Sequence, residues 1–281
     1  MNSGQLQRIA ESVQNGTLWK LGPDDSFRFS CKQCGRCCVN NTIIVNTYDI
    51  IRMRHTLKMA TGDMIANDLL NFNVGPNSGM PIATIRFRRI NDVLSVCPFI
   101  APVYQAASLD DLKSRIQKGS VNTEGLIRAK NRCGEDIFLC SIHTDKPFRC
   151  RAYPLGRIFE HNDKLDIANA ESFWFHVDLP DHCNGSDTDH TVREWIESQG
   201  MKEYLETSVR CTSMLEKIAK ANVLNNEDVS ALAFTVLYDF DSILGNSSTG
   251  MPDAEMLDFV EKAVDMFIEI ASENKLVLSQ N

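Results

Sequence analysis

The chain has 281 residues, 43% of them hydrophobic, a formal net charge of −8 and ten cysteines. A chain of that length buries a core without help from metal or disulfides, so ligand-type cysteines point to a site and not merely to a staple for folding. The acidic balance excludes a general nucleic-acid or anionic-membrane surface, which needs clustered Lys and Arg to neutralise phosphate, and no apolar run reaches the roughly eighteen residues of a membrane-spanning helix. The first residues, MNSGQLQRIAESVQNG, contain no apolar h-region and no small-residue cleavage site. A cytoplasmic location is therefore expected, where cysteines serve better as thiolate ligands or redox groups than as a disulfide framework.

In chain order, the first sixteen residues place Leu6, Ile9, Ala10 and Val13 on one helical face. After the Gly22-Pro23-Asp24-Asp25 turn, the alternation Phe27-Arg28-Phe29 predicts a brief strand leading into a cysteine run. Residues 47 to 70 read as one or two helices, with the break at Thr61-Gly62. Ala83 to Arg89 and Val93 to Phe99 alternate across Ile90-Asn91-Asp92, a predicted β-hairpin that would deliver Cys97 from a strand. Within it, Arg86-Phe87-Arg88-Arg89 is the densest positive run and reads as a solvated strand face.

Residues 108 to 118 predict a short helix, and Phe138 to His143 a strand entering the Pro147 turn. Gly156 to Glu160 and Lys164 to Ala168 predict a second hairpin through His161-Asn162-Asp163. From Thr191 the pattern is helical: Thr191 and Glu194 have capping-box spacing, Gly200 ends that helix, and Met201 to Ala221 forms the next. Helices over 226 to 244 and 252 to 272 follow, the last with Met256, Val260, Ala263, Phe267 and Ile270 on one stripe. In Tyr238-Asp239-Phe240-Asp241 the simplest expectation is Phe240 in the core and both acids in water, a functional site being the alternative. The expected class is α+β: small hairpins and loops carrying cysteines, packed with N-terminal helices and a helical C-terminal region. A boundary near 189 separates a cysteine-cluster region, 1–189, from the helical region 190–281, the two expected to pack as one unit.

Cys31-Lys32-Gln33-Cys34-Gly35-Arg36-Cys37-Cys38 holds four thiols in eight residues. The C-x-x-C spacing lets two thiolates converge on one ion or cluster face, and the glycine lets the chain turn so that amides can point at sulfur. Cys97, Cys140, Cys150 and Cys183 follow. Three cysteines spaced C-x-x-C-x-x-C plus a remote Cys-Pro form the ferredoxin pattern, which Cys31, Cys34, Cys37 and Cys97-Pro98 match. If the backbone at Cys37 and Cys38 is extended, their side chains diverge and Cys38 faces a second centre with Cys140, Cys150 and Cys183. Spacing alone leaves that partition open. Cys133 could supplement a centre or pair with Cys140, and Cys211 reads as a small buried hydrophobe. Prolines 147 and 154 bracket the loop around Cys150, where Arg149 and Arg151 either offset thiolate charge or pair with surface carboxylates. His143 and His182 stand beside candidate ligands, as coordinating or hydrogen-bonding groups.

Together the strings CKQCGRCC, CPFI, CSIHTDKPFRCRAYPLG and HCNG resemble the YkgJ-type cysteine-cluster family, whose CxxCxxCC domain is described as zinc- or iron-chelating. The resemblance covers about residues 27 to 187 and is similar in the helical continuation TVREWIESQGMKEYL. It implies ligand roles for Cys31, Cys34, Cys37, Cys38, Cys97, Cys140, Cys150 and Cys183. Related flagellin lysine methylases with a similar cysteine domain are associated with an iron-sulfur cluster, which favours iron. His143 departs from the family, where many members carry tyrosine.

Three functions are consistent with this pattern. The first is an iron-sulfur protein with one or two 4Fe-4S clusters, in a redox or accessory role to a partner enzyme. The second is a structural Zn²⁺ module that recruits a protein partner. The third is an enzyme using a cluster iron or metal-bound water. No nucleotide-binding glycine loop, H-E-x-x-H helix or activated-serine signature is present.

Overall fold

Asn46 and Asp49 open the first helix of the computed structural model with a reciprocal capping box: the Asn46 side chain accepts from the Asp49 amide at 2.8 Å, and Asp49 accepts from the Asn46 amide at 3.0 Å. The structure describes residues 20–31, 33–75, 78–102, 104–105, 127–130, 134, 136–159, 172–176, 188–224, 226–245 and 250–278. Among them the helices are α1 (Thr47–Leu57), α2 (Thr61–Ala66), α3 (Phe148–Ala152), α4 (Val192–Ser198), α5 (Lys202–Ala221), α6 (Glu227–Tyr238), α7 (Asp241–Leu244) and α8 (Asp253–Leu278). They accompany two three-stranded and four two-stranded sheets, all antiparallel, which makes the class α+β. No helix among the described residues is long and apolar enough to cross a membrane.

The larger core lies between α1, α5, α6, α8 and the sheet Ile44–Val45, Pro81–Ile85, Leu70–Val74, with Pro81–Ile85 central. Tyr48, Ile50, Met53, Met214, Ile218, Leu237 and Phe240 are buried there. Burying a side chain of this size contributes roughly 1.5–3 kcal/mol, so this layer is the main source of stability. A second core stacks Phe27 and Phe29 edge-on against Trp195, with Leu155, Trp174 and Val192 around them. Both cores draw residues from either side of position 189.

Several expectations shift in the structure. The segment 47 to 70 contains two helices; Lys58, at φ 51°, ends the first. Leu70 belongs instead to a strand that pairs with Pro81–Ile85, a partner that local pattern does not reveal. The hairpin across 90–92 is confined to Arg88–Arg89 with Ser95–Val96, because Pro81–Ile85 is taken up by the three-stranded sheet. Leu155–Phe159 pairs with Ser172–His176, whereas 164–168, like the predicted helices in 1–16 and 108–118, lies outside the described residues. The Thr191 capping box is present, with amide bonds of 3.2 and 2.8 Å. The segment 226 to 244 is interrupted at Asp239. On α8, Leu257 and Val264 join Met256, Val260 and Phe267 in the core, while Ile270 is 52% exposed and off the stripe.

Asp241 also departs from expectation. It is buried, with its carboxylate accepting from Arg54 Nε at 2.8 Å and from the Thr61 amide at the start of α2 at 2.8 Å. Asp239 accepts from the Thr61 hydroxyl at 2.7 Å and the Ser242 hydroxyl at 2.6 Å. The two acids thus fasten α2 to the α6–α7 junction, and Phe240 lies in the core as expected.

Candidate metal centre

Four segments from three regions of the sequence approach one another around the cysteines: the 31–38 loop, the 95–102 segment, and the neighbouring Phe138–Cys140 strand and Phe148–Ala152 helix. In the 31–38 loop, Gln33 and Gly35 take left-handed φ values of 55° and 69°. They turn the chain into the 3-10 turn Arg36–Cys38, closed by the Cys38 amide on the Gly35 carbonyl at 3.0 Å. Gly35 is also required for room: a Cβ there would strike the Ile100 side chain and stand 3.0 Å from Phe138 Cβ. The loop thus seats on the ribbon formed by Ile100–Pro102 and Phe138–Cys140, where the Phe138 amide donates to the Gln33 carbonyl at 2.7 Å. Replacing Gly35 by Ala adds left-handed strain and overpacking, so urea unfolding should show a loss of roughly 2–4 kcal/mol. A loss below about 0.5 kcal/mol, the range of ordinary surface substitutions, would contradict that seating.

Cys97 follows the Ser95–Val96 strand, and its amide donates to the Cys38 carbonyl at 2.9 Å beside the Val39–Val96 bridge. Asn40 stitches the same two segments: its side chain accepts from the Ser95 amide at 2.7 Å and donates to the Val93 carbonyl at 2.9 Å. Cys140 stands opposite Ile100 in the ribbon, and the Ser141 amide donates to the Phe99 carbonyl at 2.7 Å. Cys150 sits on α3, which Pro147 starts.

Two residues not singled out from the sequence hold α3 in place. Asp49, 1% exposed, accepts from the Phe148 amide at 2.7 Å while it completes the α1 capping box. Its signal was present in the Asn46-x-x-Asp49 spacing, but its second partner lies 99 residues away. Lys146 donates to the Gln199 side chain at 3.2 Å and lies within electrostatic reach of Cys150, Cys31 and Cys140. Arg151 donates to the carbonyls of Gln199 at 2.7 Å and Thr144 at 2.6 Å, and stacks 4.4 Å over the Tyr204 ring. These partners are backbone and tyrosine, so Arg151 braces the loop between Cys140 and Cys150 instead of meeting a surface carboxylate. Arg149 lies within electrostatic reach of Asp49 and Cys150.

Burial pushes Asp49 up from 3.8 to about 6, against its amide hydrogen bonds and the charges of Arg149 and Arg151. The folded state therefore binds this proton more tightly than the unfolded chain. Its contribution to stability is complete below the unfolded value and is lost as pH rises through about 6. Across that window the stability of the wild type relative to Asp49→Asn should fall by roughly 2–3 kcal/mol, measured by urea titration at several pH values. A pH-independent difference would contradict it.

The sulfurs sense one another. Cys37 Sγ and Cys38 Sγ are 3.8 Å apart. A hydrogen bond from Cys38 lowers the Cys37 thiol to about 7, burial opposing and Lys146 assisting. The same bond, with one to Cys97, pushes Cys38 up, and Cys97 is correspondingly lowered. Burial raises Cys140 and Cys150, and the neighbouring sulfurs Cys97 and Cys37 raise both further. Cys37, Cys38, Cys97, Cys140 and Cys150 thus share one neighbourhood. Cys31 is exposed and Cys34 half-buried in the same loop. Cys183, Cys133 and His182 lie outside the described residues. His143 is held below its ordinary value by partial burial and then by Lys146 and Arg151, which favours the neutral imidazole. Cys211 is buried on α5, its thiol pushed up to about 12 by desolvation, and packs as a hydrophobe.

The expectation that the Cys37 and Cys38 side chains diverge along an extended backbone is therefore corrected. The backbone at Cys37 and Cys38 is a 3-10 turn and not an extended strand, so their side chains do not diverge. All the described cysteines are free thiols. Among the described residues no three Cys, His, Asp or Glu side chains close around a single point as they would about a bound ion. In kind, five thiols within electrostatic reach of one another suit a thiophilic ion or an iron-sulfur cluster, and none is consumed in a cystine. The residues that could hold such a group are Cys37, Cys38, Cys97, Cys140 and Cys150, with Cys31 and Cys34 in the adjoining loop. No protein-family model matches the chain, and no curated protein or solved structure is significantly similar to it.

Proposed function

We propose that the chain is a metal-binding protein whose thiols take up an iron-sulfur cluster, in a redox or accessory role to a partner enzyme in a reducing cytoplasm. The observation that carries this reading is the 3.8 Å approach of the Cys37 and Cys38 sulfurs and the backbone pairing of Cys38 with Cys97, with Cys37 and Cys97 in electrostatic reach of Cys140 and Cys150. Thiols gathered from distant segments at the cost of burial are best explained by a shared ligand that takes them as thiolates. When bound, an iron-sulfur cluster would supply one-electron chemistry. The residues of the chain supply its surroundings: Lys146 and Arg149 bring positive charge, Asp49 and Arg151 fix the helix of Cys150, and Gly35 admits the Cys31–Cys38 loop to the ribbon.

A closed structural zinc site is the second reading, favoured by the rigid backbone hydrogen bonds that fix Cys38 against Cys97. Protein purified without oxygen separates the two. Iron clusters give a brown sample absorbing broadly near ~400 nm with acid-labile sulfide, whereas Zn²⁺ gives a colourless sample with stoichiometric zinc. Protein that carries neither metal, and takes up neither under reducing conditions, would remove both readings.

A further inference from the structure

We propose that Cys37, Cys38 and Cys97 form a thiol relay that carries an oxidising equivalent inward from solvent and stores it as a Cys38–Cys97 disulfide. The three side chains are graded by depth, with Cys37 exposed, Cys38 half-buried and Cys97 buried. Cys38 joins the other two: its sulfur lies 3.8 Å from that of Cys37, and its backbone is hydrogen-bonded to that of Cys97. Cys38 and Cys97 also stand directly across from one another, one step beyond the antiparallel Val39–Val96 bridge, with the Cys97 amide on the Cys38 carbonyl at 2.9 Å. The backbone therefore already brings these two cysteines side by side. Cys211, also buried, lies on α5 and takes no part in this arrangement.

The oxidant that fits an exposed first thiol is a hydroperoxide. The Cys37 thiolate attacks the distal peroxide oxygen, the O–O bond breaks, and the departing alkoxide or hydroxide takes a proton, leaving Cys37 as a sulfenic acid. The Cys38 sulfur then attacks Cys37 Sγ, the S–O bond breaks, and water leaves with the thiol proton. The resulting link between adjacent residues is a small constrained ring, so Cys97 displaces it by attacking Cys38 Sγ and releasing Cys37 as a thiolate. In sum, two thiols and one hydroperoxide yield one disulfide, one alcohol or water, and one further water. Two electrons pass from the sulfurs of Cys38 and Cys97 to the peroxide.

The chemistry needs no metal, so it can be tested apart from the function proposed above. Full-length protein is assayed for metal, then stripped with a chelator under reducing conditions, desalted without oxygen and treated with an equivalent of hydrogen peroxide. Alkylation and peptide mapping should recover a Cys38–Cys97 cross-link, with Cys37 and Cys211 as alkylated free thiols. In Cys37→Ser the link should form roughly tenfold more slowly, since the exposed entry thiol is gone, whereas Cys211→Ser should match the wild type. Circular dichroism confirms that each variant is folded. Recovery of Cys38 and Cys97 as free thiols while Cys37 is oxidised, or an undiminished rate in Cys37→Ser, would overturn the relay. Formation of the link in a protein that never binds metal would leave the relay standing and remove the metal reading.

Discussion

Cys38→Ser is expected to lose nearly all bound metal, to under about a tenth of wild-type stoichiometry, because on the proposed reading it removes a soft donor that touches one neighbouring sulfur and is paired through its backbone with another cysteine. The Cys38 sulfur lies against that of Cys37, and its carbonyl anchors the Cys97 amide. Serine preserves the backbone bonds and the side-chain volume, so the fold should survive while the site does not. Metal analysis of anaerobically purified variants, with Cys211→Ser as a buried control outside the cluster, supplies the comparison. Retention of about half the metal would instead indicate two independent centres, of which one does without Cys38; eight thiolates would suffice for two such four-ligand sites.

Arg52→Met should have the largest effect on stability, a loss of roughly 3–5 kcal/mol, because it strands the buried Asp145 carboxylate without a cation and leaves Asp253 only His55, whose Nδ1 is 3.3 Å away. Arg52 Nε meets Asp145 at 2.9 Å and its Nη1 meets Asp253 at 3.0 Å. The side chains of Asp145 and Asp253 are only 10% and 13% exposed. The Thr56 hydroxyl also donates to Asp145, but it cannot replace a charge. Asp145 ends the turn between Cys140 and Cys150, and Asp253 begins α8, so one guanidinium joins the sulfur-bearing loop to the helical region. Urea unfolding followed by tryptophan fluorescence measures the loss. Alkylation of Cys140 and Cys150 should accelerate in parallel, and adding Asp145→Asn should recover part of the stability by removing the stranded charge. A change below about 1 kcal/mol would place this network among ordinary surface pairs.

What could be read from the sequence was mostly what short-range physics decides. The Thr191 and Glu194 capping box involves residues three apart, and the helix it begins was legible for that reason. The α+β class followed from hairpin and helix patterns that are likewise local. The strand Leu70–Val74 was missed because its hydrogen-bond partner, Pro81–Ile85, is what makes it a strand; alone, the polar Asn71 and Asn73 give no clean alternation. Asp241 was assigned to water because nothing near it in sequence neutralises a carboxylate. Arg54, its partner, lies 187 residues away.

At the cysteines, spacing identified the thiols but not how they group. That depended on the backbone at Cys37 and Cys38, where left-handed Gln33 and Gly35 wind a tight turn and bring the two sulfurs together. The role of Gly35 was only half visible: a turn was expected of it, but its closeness to Ile100 and Phe138 arises from tertiary packing. Asp49 and Lys146 escaped notice because what they do for Cys150 depends on contacts that α1 and Gln199 make only in the folded chain.

X-ray absorption at the metal edge, on protein loaded without oxygen, tests the thiol centre most directly. The expected result is a first shell dominated by sulfur at about 2.3 Å, lost in Cys38→Ser. A first shell of oxygen and nitrogen alone, or an edge too weak for about one ion per chain, would contradict the account, since a thiolate site is expected to bind through sulfur.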